Sequence, residues 1–239
     1  MFTRSLPELG MILLLLLVIM VLCVKTGKLT VGASVCSVLI GCLVFAGSGY
    51  AGLSLLGTFF ILGVLATAHK KEQKATIHRD GDHPEKRTAG QVFANGGVAG
   101  LAAIAALADP IRVDLYSMML GASLAAATAD TVSSELGIVY GRNFINVLTF
   151  AREEKGLDGV ISREGTLLGV AGSLVIAGVY ALFEGFDLSV LWIVIAGNLG
   201  NLADSILGAS LERGRYIGNN AVNFLSTLLA ALVVAAISV

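Results

Sequence analysis

Apolar runs of about 20 residues, each closed by a short cluster of charged, polar or glycine residues, recur along the whole chain. At about 1.5 Å per residue, such a run matches the hydrocarbon core of a bilayer. Dividing the sequence on that pattern predicts eight crossings, at roughly residues 6–24, 28–46, 51–68, 90–108, 114–133, 164–183, 188–209 and 219–238. Short connections such as K-T-G-K at 25–28, D-P-I-R-V-D at 109–114 and E-G-F-D at 184–187 imply antiparallel neighbours. Two connections, 69–89 and 134–163, are long and polar and read as loops. The expected architecture is an all-α, polytopic integral membrane helix bundle of about eight transmembrane helices, forming a single domain over residues 1–239. The first run follows Arg4 and has the length of a signal core, but no small-x-small cleavage site follows it, so it reads as a retained helix.

Composition agrees with the pattern. The chain is 56% hydrophobic and only 14% charged, against about 25% charged in soluble domains. Its 29 glycines suit helices that pack closely in a membrane. Cys23, Cys36 and Cys42 lie in apolar runs without metal-ligand spacing and read as small buried hydrophobes. Threading eight crossings places fourteen lysines and arginines on one side and only Arg4 and Arg112 on the other. By the positive-inside rule the loaded face is cytosolic and both termini point outward.

Against this apolar background the acids stand out. Residues 125–137 read A-A-A-T-A-D-T-V-S-S-E-L-G, with Asp130 and Glu135 at the end of an apolar helix. Residues 198–208, N-L-G-N-L-A-D-S-I-L-G, place Asp204 in the same Ala-Asp-Ser/Thr setting. An ionised carboxylate inside a membrane helix costs about 2.5–3.5 kcal/mol even on a lenient scale, so it is retained where a cation, a partner or water compensates. Asp130, Glu135 and Asp204 are candidate ligands for a hard cation, Mg²⁺ above all. The structural alternative is that each is neutralised by a lysine or arginine.

Other polar groups fall at the same level of the threaded map. Lys86, Arg87 and Thr88 precede a helix that carries Asn95, an arrangement suited to an anion. The glycine-rich stretch K155-G-L-D-G-V-I-S-R-E-G-T166 offers Lys155, Asp158 and Ser162 as nucleotide contacts, although a plain turn and helix cap explain it equally well. Asn219 and Asn223 open the last helix, and Asn219 or Asn220 suits the N-cap. The pair of segments 87–131 and 163–205 suggests a parallel duplication bringing the two Asp residues together. His69, His78 and His83 lack ligand spacing and read as surface residues. There is no Ser-His-Asp or Cys-His arrangement and no sign of nucleic-acid binding.

Read in order, K-R-T-A-G-Q-V-F-A-N-G-G, A-D-T-V-S-S-E-L-G, G-L-D-G-V-I-S-R-E-G-T-L-L-G, N-L-A-D-S-I-L-G-A-S-L-E and N-N-A-V-N-F-L-S resemble one membrane family. It is the family called domain of unknown function 92, which includes plant phytyl-phosphate kinase and mammalian transmembrane protein 19. The resemblance runs from about residue 10 to the end, and departs at Ile161-Ser162-Arg163-Glu164, where more apolar residues are expected after the serine. It implies a polytopic enzyme that phosphorylates an isoprenyl monophosphate, such as phytyl or geranylgeranyl phosphate, with CTP or another nucleoside triphosphate as donor. On that expectation Asp130, Asp204 and Arg87 are catalytic, and Asp130, Glu135 and Asp204 hold Mg²⁺. Lys86, Asn95, Lys155, Asp158, Ser162, Asn219 and Asn223 contact substrate, at a site facing the cytosol. A polyprenol kinase or CTP-dependent lipid-phosphate cytidylyltransferase on the same platform, and a secondary transporter, are the rival readings. The expected partners are the lipid phosphate, the nucleotide and the membrane lipids.

Overall fold

The computed structural model describes residues 6–75 and 86–238. Arg4, Arg79, His78 and His83 lie outside the described residues. The chain is an α-helical bundle with one small hairpin. In order it forms α1 (Leu6–Lys25), α2 (Val31–Ala68), α3 (Lys71–Ala75), α4 (Ala89–Ala108), α5 (Val113–Tyr140), β1 (Phe144–Asn146), β2 (Val160–Ser162), α6 (Arg163–Glu184), α7 (Leu188–Leu207) and α8 (Asn219–Ile237). Among the described residues, six helices are long and apolar enough to cross a membrane, so the expected eight crossings are not matched one for one.

The difference has two sources. First, the second and third predicted crossings are one 38-residue helix, broken at Gly49, whose φ of 65° and ψ of −148° leave the helical region. Only glycine tolerates that backbone without strain. The two arms fold back on each other: Phe60 packs on the cluster of Cys23, Leu29 and Ala33, and Ile40 joins Leu55 and Phe59 in the main core. Second, the Val113–Tyr140 helix carries Asp114, Asp130 and Glu135, and its polar lower half keeps it out of the apolar set. It also runs past the expected end at 133 to Tyr140, so the predicted loop at 134–163 shrinks to a connection containing an antiparallel hairpin with Ile145 opposite Ile161. Asn146 stitches that connection, accepting from the backbone N–H groups of Leu148 and Thr149 at 2.9 and 3.2 Å.

α5 is the axle of the bundle. From Leu120 to Ala129 every residue is buried, and all but Ser123, Thr128 and leucines 120 and 124 are alanine or glycine. Small residues admit close neighbours, which is how membrane helices gain packing energy when lipid removes the hydrophobic drive. α2, α4, α6, α7 and α8 all pack on it. α1, by contrast, touches chiefly α2 and leaves Leu14, Leu15 and Leu22 exposed.

Helix starts follow local chemistry. Thr88 caps α4 with a reciprocal Gln91 contact, and Ser162 caps α6 by accepting from the Gly165 N–H at 3.1 Å. α8 begins after Gly218, so neither Asn219 nor Asn220 is its cap and both are free of that duty.

Candidate functional site

Glycine brings the acid-bearing helices into register. A Cβ on Gly197 would lie 2.7 Å from the Ala125 Cβ, and one on Gly200 2.6 Å from the Ala126 Cβ. These contacts advance together along both chains, so α5 and α7 run parallel. α6 closes on α5 in the same manner, with Gly169 against the Ala129 carbonyl and Gly165 against the Ser133 carbonyl at 3.0 Å each, measured from the position of an added Cβ.

That packing places Asp130 and Asp204 at one level, with their carboxyl groups meeting across the seam. Ser226 on α8 donates to Asp204 Oδ2 at 3.2 Å, and Ser133 Oγ lies 3.3 Å from Asn201 Oδ1. Both carboxylates line a cavity of about 670 Å³, together with Glu135, Asp158, Ser162, Glu212, Asn198, Asn201, Asn219 and Asn223. Five carboxylates face this space, and no lysine or arginine among the described residues lines it. Asn223 Nδ2 donates to Asn219 Oδ1 at 3.3 Å, which aligns the two amides on one helix turn.

The hairpin connection covers one side. Phe144, Gly156, Leu157 and Gly159 through Ser162 line the same cavity. Gly159 lies so close to the end of α7 and the turn after it that an added Cβ would run into the Ser205 carbonyl and Ala209, and its φ of 69° also calls for glycine. Arg213, just beyond the π-helical turn Gly208–Glu212, holds the hairpin with two contacts. Its Nη2 pairs with Glu153 Oε2 at 2.7 Å and its Nε donates to the Asp158 carbonyl at 2.6 Å. The Arg213 hydrogen bond holds the Glu153 carboxyl below the usual range against the opposing effect of burial, with help from Asn146 and from the Arg213 charge.

The structure separates four predicted residues, Lys86, Arg87, Asn95 and Lys155, from this cavity. Glu135 lines it, but its carboxylate pairs with Lys74 at 2.5 Å. Lys74 is 4% exposed and also donates to the Ala66 and Thr67 carbonyls at 2.8 Å, so it closes the end of α2 as well. Among the described residues, no three of His, Cys, Asp and Glu form a ready metal cage. Asp130, Glu135 and Asp204 are therefore a facing pair and an ion-paired neighbour rather than a triad.

Arg87 and Asn95 line a second cavity, Lys86 is exposed at the α4 start, and Lys155 is exposed on the hairpin connection. Asn95 donates to the Gln91 carbonyl at 3.0 Å. Burial pulls the Arg87 guanidinium below its usual range, while the Glu135 carboxylate pulls the other way. His69 is a surface residue whose Nε2 lies 2.8 Å from the Tyr140 hydroxyl. Sequence reasoning passed over Asn198, Asn201 and Glu212 as site residues. The signal for the first two was present as Asn198, Asn201, Asp204 at steps of three, a polar row on one face of an apolar helix.

Comparison with known proteins gives one family. The chain matches the family described as integral membrane protein DUF92 over residues 14–231. It is 37% identical over 188 residues to an uncharacterized membrane protein of Methanocaldococcus jannaschii, covering 77% of this chain and 75% of the relative. It is 30% identical over 203 residues to the chloroplastic protein VTE6 of Arabidopsis thaliana, covering 82% of this chain and 61% of the relative. An uncharacterized membrane protein of Synechocystis is also 30% identical, over 202 residues, with 81% and 76% covered. No solved structure matches the chain. The match spans most of the sequence and every helix that frames the acid cavity, and this multi-pass integral membrane protein belongs to the DUF92 family.

Proposed function

We propose that the chain is a membrane-embedded kinase that moves the terminal phosphoryl group of a nucleoside triphosphate, CTP by preference, onto an isoprenyl monophosphate. The observation that carries this reading is the acid cavity, with five carboxylates, four asparagines and no lysine or arginine in its lining among the described residues. A polyphosphate entering alone would be repelled by that wall. Magnesium binds through one or two carboxylates and bridges to substrate phosphates, and the facing Asp130–Asp204 pair offers that number of ligands. Held there, Mg²⁺ would neutralise the charge on the phosphoryl oxygens.

The chain's own groups account for the rest. The amides of Asn201, Asn219 and Asn223 orient phosphate oxygens, and the hairpin connection keeps bulk water off the transferred group. The attacking atom is a phosphate oxygen of the lipid, ionised at neutral pH, so no general base is needed. One O–P bond forms at the γ-phosphorus, the bond to the β–γ bridging oxygen breaks, and the nucleoside diphosphate leaves with that electron pair. The resemblance to the phytyl-phosphate kinase family supports the acceptor class. The excess of lysine and arginine near this end of the bundle supports a site on the cytosolic side, with both termini outside.

The test uses purified full-length protein with Mg²⁺, CTP labelled at either the α or the γ phosphate, and geranylgeranyl or phytyl monophosphate. The expected result is γ-label in an isoprenyl diphosphate and α-label in CDP. α-Label in the lipid with release of pyrophosphate would make it a cytidylyltransferase instead. No transfer to any isoprenyl phosphate from any of several nucleotides overturns the proposal.

A further inference from the structure

The second cavity, of about 290 Å³, lies between α1, the two arms of α2 and the first turns of α4. Its lining is divided. Leu15, Leu16, Leu53 and Leu56 stand toward the Gly49 bend, while Arg87, Gln91 and Ser34 stand where α1 turns into α2. Arg87 is tied in place by its backbone, which donates to the Lys28 carbonyl at 3.1 Å and accepts from the Thr30 N–H at 3.0 Å. Its guanidinium lies along Gly63, where an added Cβ would fall 3.0 Å from Nη2. No carboxylate of the described residues is within ion-pair distance of it.

A second polar group has no intramolecular use there. Ser34 is fully buried, its Oγ lacks a hydrogen-bond partner among the described residues, and the residue lines this cavity. A buried unpaired hydroxyl and a partly desolvated guanidinium both cost stability unless something meets them. An apolar ligand would leave both groups unmet. A hydrophilic anion would leave the leucine end empty. What satisfies both ends is an anionic head joined to an apolar chain.

From this geometry we infer that the second cavity binds a single-chain phosphate monoester, with its head on Arg87 and Ser34 and its chain along α1 and α2. The rest of a longer chain leaves past α1, a membrane-length helix that packs chiefly on α2. Identifying this ligand as the phosphoryl acceptor rests on the kinase reading above. Binding itself does not. Glu135 lines the acid cavity, and its charge reaches Arg87, which lines the second. On the kinase reading, donor and acceptor enter by separate cavities, and the lipid head passes from Arg87 to the acid cavity for transfer.

The test measures equilibrium binding of tritiated geranylgeranyl monophosphate to full-length protein in nanodiscs, without nucleotide or Mg²⁺. Geranylgeraniol, inorganic phosphate and dioleoyl phosphatidate serve as competitors. Geranylgeranyl monophosphate is expected to bind at least tenfold more tightly than geranylgeraniol or inorganic phosphate. Arg87→Ala should weaken it at least tenfold, Arg87→Lys less, and Ser34→Ala a few-fold. Gly57→Leu, which places a side chain in the lining at a position with open space around its Cβ, should weaken it without unfolding the protein. Unchanged affinity in Arg87→Ala and Gly57→Leu overturns the inference, as does tighter binding of the two-chain phosphatidate, which would make the cavity a bilayer-lipid site. Asp130→Asn separates the two proposals. Loss of turnover with binding intact fits both, and absence of turnover in the wild-type protein with binding intact sinks only the kinase.

Discussion

The two cavities are walled in different ways. Around the acids, helices touch through glycine and alanine: Gly197 on Ala125, Gly200 on Ala126, Gly169 on the Ala129 carbonyl. Around Arg87, the walls are Leu15, Leu16, Ile19, Leu53, Leu56 and Phe59, large side chains that leave space between them. Close backbone contact fixes where a carboxylate points, because neither helix can shift without a clash. Large, flexible side chains fix little but give an apolar chain something to lie against. The first arrangement suits chemistry and the second suits holding a tail.

The sharpest way to break that contrast is to remove charge on the rigid side. Asp130→Asn and Asp204→Asn keep volume and seam packing while deleting a proposed ligand for a divalent ion. Turnover should fall by about 10²-fold or more in each, with a melting temperature close to that of the parent protein. Parallel loss of turnover and folded protein would show the pair to be structural. Wild-type rates would remove it from the site.

The Lys74–Glu135 pair comes next. Lys74 is buried and Glu135 is one-quarter exposed. Removing one partner of a buried pair leaves an uncompensated charge, a cost of about 3–5 kcal/mol. Lys74→Met should show most of that loss in chemical denaturation, since the two α2 carbonyls also lose their donor. Lys74→Met with Glu135→Leu should recover part of it.

Glycine substitutions then compare the walls directly. An alanine Cβ at Gly200 would meet Ala126 Cβ at 2.6 Å and the Ser226 carbonyl at 2.8 Å, so Gly200→Ala should cost about 1–3 kcal/mol by overpacking. Gly57→Ala meets nothing within 4 Å and should be neutral or gain up to about 1 kcal/mol from helix propensity. Equal effects on the denaturation midpoint at both positions would erase the distinction between a fitted seam and a loose wall.

Much of this was legible in the residues. Asp130 and Asp204 announced themselves because a charge in an apolar run needs a reason, and their matching depth followed from counting residues along parallel helices. Asn219 and Asn223 reached the same cavity for the same reason of depth. Arg87 shows the limit. Depth placed it near the acids, but depth carries no information about azimuth, and α4 begins on the α1–α2 side of the bundle rather than on the α5–α7 side. Glu135 shows another, because its partner Lys74 lies 61 residues away in a segment whose polarity read only as loop. The bend at Gly49 was visible as a gap between apolar runs, whereas the hairpin at 144–162 was not, since its order comes from Asn146 and Arg213 rather than from any strand-like alternation.

The hairpin belongs to the rigid side, and it supplies the smallest effect. Glu153 is partly exposed, and its carboxyl is held below the ordinary range by Arg213. A depressed folded value means the unfolded chain takes up the proton first. The contribution of the pair is therefore complete above the unfolded carboxylate value of about 4.3. It is lost as pH falls through the lower folded value. Hydrogen exchange at the Asn146 and Val147 amides, which bond to the Ala151 and Gly159 carbonyls, reads the hairpin alone. After correction for intrinsic rates, exchange there should rise on acidification in the wild-type protein. In Glu153→Gln it should already be faster at neutral pH and change little below it. Identical profiles in the two proteins would mean that Arg213 holds the hairpin through the Asp158 carbonyl alone. The covering of the acid cavity would then be indifferent to pH, as the leucine-lined wall of the other cavity is.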